Sequence, residues 1–115
     1  MLKYQRIYEL DDELYNFHLQ QKQYYLLEGI IPTKKYLIES IDNPEGFDKE
    51  DHYIKKIYYR EKMIALIDYQ IGYRFSMKHD RNCLWIGLFL VDETWQRKKF
   101  GKEIIEDIIN EYKES

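Results

Sequence analysis

The stretch from Cys83 to Tyr112 constrains the fold of this chain more than any other. Cys83 to Val91 reads CLWIGLFLV, a run of strand length with apolar residues on both faces. Such a pattern predicts a strand covered on both sides and placed centrally in a sheet. From Phe100 the period changes. Ile104, Ile105, Ile108, Ile109 and Tyr112 fall on one helical stripe, with Glu103, Glu106, Asp107, Asn110 and Glu111 opposite, and a helix with such a stripe must bury it. The apolar run from Leu84 to Val91 is eight residues, far short of the roughly twenty that a membrane-spanning helix needs.

The remainder predicts a strand and two helices before this unit, then a hairpin. Residues 3–9 alternate Tyr4, Arg6 and Tyr8 with Gln5 and Ile7 and read as a short strand. Asp11 or Asp12 caps a helix expected to run to Glu28, with Leu14, Phe17, Gln21, Tyr24 and Tyr25 as its inward stripe and Gly29 as its stop. Thr33, after Pro32, starts a shorter helix through Ile41. The polar run 42–51, carrying Pro44 and Gly46, is a loop. Tyr53 to Arg60 and Met63 to Tyr73 then form an antiparallel hairpin, although its turn lacks Gly or Asn and its type stays open. Residues 76–82 are a second turn. The expected order, β-α-α-β-β-β-α, is an α+β fold: a mixed, mainly antiparallel sheet flanked by helices, in one domain over residues 1–115.

Composition narrows the function classes. With 44% hydrophobic and 34% charged residues, 5 Gly and 2 Pro, the chain is neither disordered nor low-complexity. A single cysteine, Cys83, excludes an internal disulfide framework and a Cys-only zinc site. His18, His52 and His79 lie in no metal-ligand spacing, so no metal is expected, and Ser40, Ser76 and Ser115 lack the surroundings of a nucleophile. A net charge of −3 speaks against a nucleic-acid partner. The N-terminus has no apolar signal stretch, so a cytoplasmic protein with no membrane partner is expected. Of the 12 tyrosines, those in the hairpin (Tyr53, Tyr58, Tyr59, Tyr69, Tyr73) either pack the sheet or line an acceptor pocket; the sequence leaves both open.

The informative place is the junction between the apolar strand and the last helix. Arg97, Lys98, Lys99 and Lys102 have no acid among them until Glu103. The first turn of a helix carries unsatisfied N–H groups and about half a positive charge, so cations added there favour a phosphate or pyrophosphate.

These residues resemble the acetyl-CoA-binding motif of the GNAT acetyltransferase superfamily. In that motif a strand ending in Val leads to Gln/Arg-x-x-Gly-x-Gly/Ala at the opening of a helix. Here Gln96 and Gly101 match, and Lys99 stands where the first glycine is expected. Trp85-Ile86-Gly87-Leu88 enters the motif strand. The resemblance implies an N-acetyltransferase that carries an acetyl group from acetyl-CoA to a small-molecule or peptide amine. Backbone groups from Gln96 through Arg97, Lys98, Lys99, Phe100, Gly101 and Lys102 would hold the pyrophosphate. Backbone groups of Leu90 and Val91 would bond the pantetheine arm and act as oxyanion donors. The candidates for accepting the amine proton are Glu93 and Asp92, beside the loop. Family members continue with further strands and a helix, so a C-terminally truncated member is expected. The alternative is a non-catalytic remnant acting as a binding module. In either case an open edge on the Cys83–Val91 strand predicts a homodimer.

Overall fold

The structure is a computed structural model; it describes residues 1–42, 51–72 and 84–114. The 42–51 loop, apart from its two ends, the 76–82 turn, and Tyr73 and Cys83 lie outside the described residues. The elements run β1 (Leu2–Ile7), α1 (Asp12–Gln20), α2 (Lys22–Glu28), α3 (Lys34–Ile41), β2 (His52–Tyr59), β3 (Lys62–Ile71), β4 (Leu84–Val91), a single 3-10 turn (Glu93–Trp95) and α4 (Phe100–Glu114). The four strands form one antiparallel sheet in the order β1-β2-β3-β4.

Helix boundaries follow local chemistry. Asp11 Oδ1 accepts the Leu14 N–H at 2.8 Å and opens α1; Thr33 Oγ1 does the same for Tyr36 N at 3.1 Å and opens α3. Gly29 ends α2 at φ 69, a left-handed conformation in which a Cβ would be strained. The single helix expected from Asp12 to Glu28 is instead two. Gln21 leaves helical geometry at φ −86, ψ 59, with a polar side chain in the middle of the inward stripe.

The β2–β3 turn has Arg60 and Glu61 at φ 51 and 66, between the paired residues Tyr59 and Lys62. Two consecutive left-handed residues in a two-residue loop make a type I′ turn, the geometry that matches strand twist. Neither residue is Gly or Asn, so the turn carries about 1–2 kcal/mol of strain per residue that the long ladder on either side must offset.

Both faces of the sheet are covered. Ile104 and Ile108 of α4 pack with Ile57, Ala65, Ile67 and Tyr69 on one face, and Leu14 and Phe17 of α1 pack with Ile7, Ile54, Leu66 and Leu90 on the other. Successive residues of β4 serve both layers: Phe89 and Val91 meet the α4 cluster, Leu88 and Leu90 the α1 cluster. Among the described residues, however, β4 is an edge strand, with Trp85 and Ile86 exposed. The expectation of a central strand is thereby corrected. Apolar character on both faces reports layers above and below, not neighbours on either side.

The described hairpin tyrosines pack the sheet. Tyr53 and Tyr69 stack with ring centroids 5.0 Å apart, Tyr59 lies against Trp95 and Phe100, and Tyr58 donates to Glu13 Oε1.

Candidate functional site

The end of β4 and the loop that follows form one wall of a cleft of about 570 Å³, and the α1–α2 corner forms the other. The strand side contributes Phe89, Leu90, Val91, Glu93, Gln96 and Arg97; the corner contributes Gln21, Gln23 and Tyr24. None of the described hairpin tyrosines borders it.

Strand chemistry sets what the wall offers. Asp92 N–H donates to Ile64 O of β3 at 2.8 Å. Backbone groups alternate sides along a strand, so the N–H and C=O of Leu90 also turn to β3, and those of Phe89 and Val91 turn to the open edge. Gln96 Nε2 donates to Val91 O at 2.9 Å, in keeping with that alternation. Leu90 therefore contributes a buried side chain to the core, and the outward backbone donors at the strand end belong to Val91 and Phe89. Leu90 still lines the cleft, but its N–H, expected as a donor alongside that of Val91, faces β3 in this register.

The loop then makes two unusual turns. Arg97 and Lys99 stand at φ 68 and 66. The helix begins immediately afterwards: Glu103 N–H donates to Lys99 O at 3.3 Å, so the N–H groups of Phe100, Gly101 and Lys102 precede the first intrahelical bond. Arg97, Lys98, Lys99 and Lys102 are all exposed. A Cβ at Gly101 would meet nothing nearer than a Phe89 ring carbon at 3.9 Å, so the fold itself leaves room there. Backbone donors, four cations and a bare helix start suit a multiply charged anion.

Lys99 holds a left-handed conformation with a full side chain, which costs about 1–2 kcal/mol relative to glycine. Replacing it, Lys99→Gly, will raise the thermal midpoint by about 4 °C. A midpoint that stays or falls under calorimetric melting refutes the strained assignment.

Gln96 latches the loop to the strand through Val91 O. Asp92 and Glu93, considered as proton acceptors from the sequence, hold structural bonds. Asp92 Oδ1 accepts from Gln21 Nε2 at 3.0 Å and Oδ2 accepts the Thr94 N–H at 3.2 Å, while Glu93 Oε1 accepts the Gln23 N–H at 3.1 Å. The sequence places Gln21 within a helical stripe, and an amide among apolar stripe residues is the available signal for its role.

Among the described residues no group of three or more His, Cys, Asp and Glu side chains could hold a metal ion. His52 Nε2 pairs with Asp68 Oδ1 at 2.8 Å, and His18 Nδ1 with the Tyr25 hydroxyl at 2.6 Å. No helix among the described residues is long and apolar enough to cross a membrane.

Comparison with known proteins agrees with this geometry. Two crystal structures of the aminoglycoside acetyltransferase meta-AAC0020, from an uncultured soil metagenomic sample, superpose on 98% of the chain and 70% of their own length. The complex with trehalose has a TM-score of 0.55 at 19% identity, and the complex with sisomicin 0.56 at 17%. At that identity the likeness speaks for the fold. No curated protein matches the chain. The profile of the Acetyltransferase (GNAT) family matches residues 4–115. With an antiparallel sheet covered by helices on both faces, a cleft at the end of β4 and a match over almost the whole sequence, the chain belongs to the GNAT acetyltransferase family.

Proposed function

We propose that the protein is an N-acetyltransferase that uses acetyl-CoA and delivers the acetyl group to a small-molecule or peptide amine. The observation that carries this reading is the cleft itself, which has the end of β4 for a wall and is lined by Gln96 and Arg97 of the basic loop that leads into α4. The fit is chemical. The Phe100, Gly101 and Lys102 N–H groups would hold the pyrophosphate, with Arg97, Lys98, Lys99 and Lys102 neutralising it and Gly101 leaving its approach clear. Acetyl-CoA supplies an acyl group already activated as a thioester.

The chain's own contribution is orientation and fixed dipoles. The outward N–H of Val91, with that of Phe89 one pleat back, provides donors that need no reorganisation as negative charge gathers on a carbonyl oxygen during acyl transfer. The cleft brings the two reactants together, which removes much of the entropic barrier. Because its coenzyme is a metabolite of the cell interior, the activity belongs to the cytoplasm.

A second reading rests on a different observation. The open edge of β4 and the exposed Trp85 and Ile86 suit a non-catalytic module that pairs with a second copy through that edge. Calorimetric titration with acetyl-CoA separates the two. The enzyme reading expects micromolar binding, weakened about a hundredfold by Gly101→Glu through repulsion of the phosphates. The variant should melt no lower than wild type, because a carboxylate in the first turn favours the helix. No binding at millimolar acetyl-CoA overturns the enzyme reading, and a homodimer in sedimentation would then support the module.

A further inference from the structure

The cleft's two walls are joined by side chains that are far apart in sequence. Gln21 is 2% exposed and sits at the break between α1 and α2. Its amide donates to Phe17 O at 3.1 Å and to Asp92 Oδ1 at 3.0 Å, so both amide hydrogens have fixed directions. The other Asp92 oxygen holds the Thr94 N–H and with it the 3-10 turn that leads to Gln96. Glu93 answers in the opposite sense, since its carboxylate accepts the N–H of Gln23 in the first turn of α2. The corner thus fixes the loop, and the loop caps the corner's helix.

We propose that Gln21 is a positioning residue for the anion-binding loop: through Asp92 it sets the direction in which the backbone donors after β4 face the cleft. The inference rests on the acetyl-CoA reading for its consequence in binding, and on the geometry alone for its consequence in loop order. A continuous helix from Asp12 to Glu28 would satisfy its own backbone, and the sequence otherwise reads as one. The interruption places a buried amide where an apolar residue would pack, and its remaining hydrogen goes to the loop. An apolar group of the same length would leave a partly buried carboxylate oxygen without its donor, a loss that costs far more than a neutral hydrogen bond contributes.

The test is Gln21→Met, which keeps length and volume and removes both bonds. Amide hydrogen exchange of residues 93–97 in the free protein should quicken about tenfold, in line with loss of a bond to a charged acceptor. The dissociation constant for acetyl-CoA, and its KM in any acetyl transfer assay, should rise by about the same factor while kcat stays within about twofold. Asp92→Ala, at a half-buried site, should reproduce both signatures from the loop's side even if Gln21→Met does not fold. In the Asp92→Ala background, Gln21→Met should add less than about twofold. Unchanged exchange at 93–97 in the folded variant, or fully additive effects in the double variant, overturns the proposal. If wild type does not bind acetyl-CoA, the functional reading falls and the exchange arm still decides the role of Gln21.

Discussion

Removing the charges of Asp11 and Glu13 together, as Asp11→Asn with Glu13→Gln, will destabilise the protein by about 3–5 kcal/mol, whereas Lys56→Met will stay within about 1 kcal/mol of wild type. The asymmetry comes from burial. The Lys56 side chain is 3% exposed and its ammonium bonds Asp11 Oδ2 and Glu13 Oε1, yet those carboxylates are 51% and 48% exposed. Burial pulls the Lys56 pKa down, but the bonds to Asp11 and Glu13 outweigh it and hold the ammonium above its ordinary value. Without its partners the ammonium is a buried charge with no counter-ion. Without the ammonium the carboxylates are solvated by water, and Tyr58 still donates to Glu13. The asparagine keeps the cap on α1, so loss of the cap does not confuse the result. Urea unfolding of the two variants at neutral pH decides it; equal losses from both would mean that the pair, and not the stranded cation, carries the energy.

Lowering the pH from 7 to 4 will cost the fold about 3 kcal/mol through His18 alone. His18 is 4% exposed, and burial lowers its pKa from 6.5 to about 4. The Tyr25 hydroxyl, whose pKa is pushed upward by its own burial, shares a 2.6 Å hydrogen bond with Nδ1 of the ring. In the window between those values the unfolded chain binds the proton and the native protein does not, so stability is complete above pH 6.5 and falls as pH drops toward 4. Asp11 and Glu13 are held below their ordinary values of 3.8 and 4.5. Their contribution is lost lower on the scale and leaves most of this window to the histidine. In His18→Met/Tyr25→Phe the urea midpoint should be nearly flat between pH 6.5 and 4.5, where wild type slopes. The same slope in both proteins would remove His18 as the cause.

The strand-to-helix junction was legible because its letters act locally: an apolar run, a cation cluster without acids and a helical stripe need no distant partner to be recognised. Gly29 and Thr33 were legible for the same reason. Lys55 and Lys56 were not. Adjacent lysines in a strand point to opposite faces, and nothing near them in sequence signals that both are buried, Lys55 bonded to Glu111 of α4 and Lys56 to the start of α1. Their acids lie more than forty residues away. The Gln21 break escaped for a like reason, since its partner Asp92 is 71 positions distant. The type I′ turn at Arg60 and Glu61 escaped because neither residue type announces a left-handed backbone; long strands impose it.

At the edge of the sheet, β4 is bonded on one side only among the described residues. Like β1 at the other edge, it can therefore depart by breaking backbone bonds on one side only, and the loop at its end opens with it. Local opening free energies rank elements by such counts, and whatever binds the closed form alone adds its binding free energy to the cost of opening. A ligand seated on residues 96–102 would thus slow solvent exchange along the whole of β4, so that occupancy of the loop could be read in the amides of Leu84 to Val91, none of which needs to touch it.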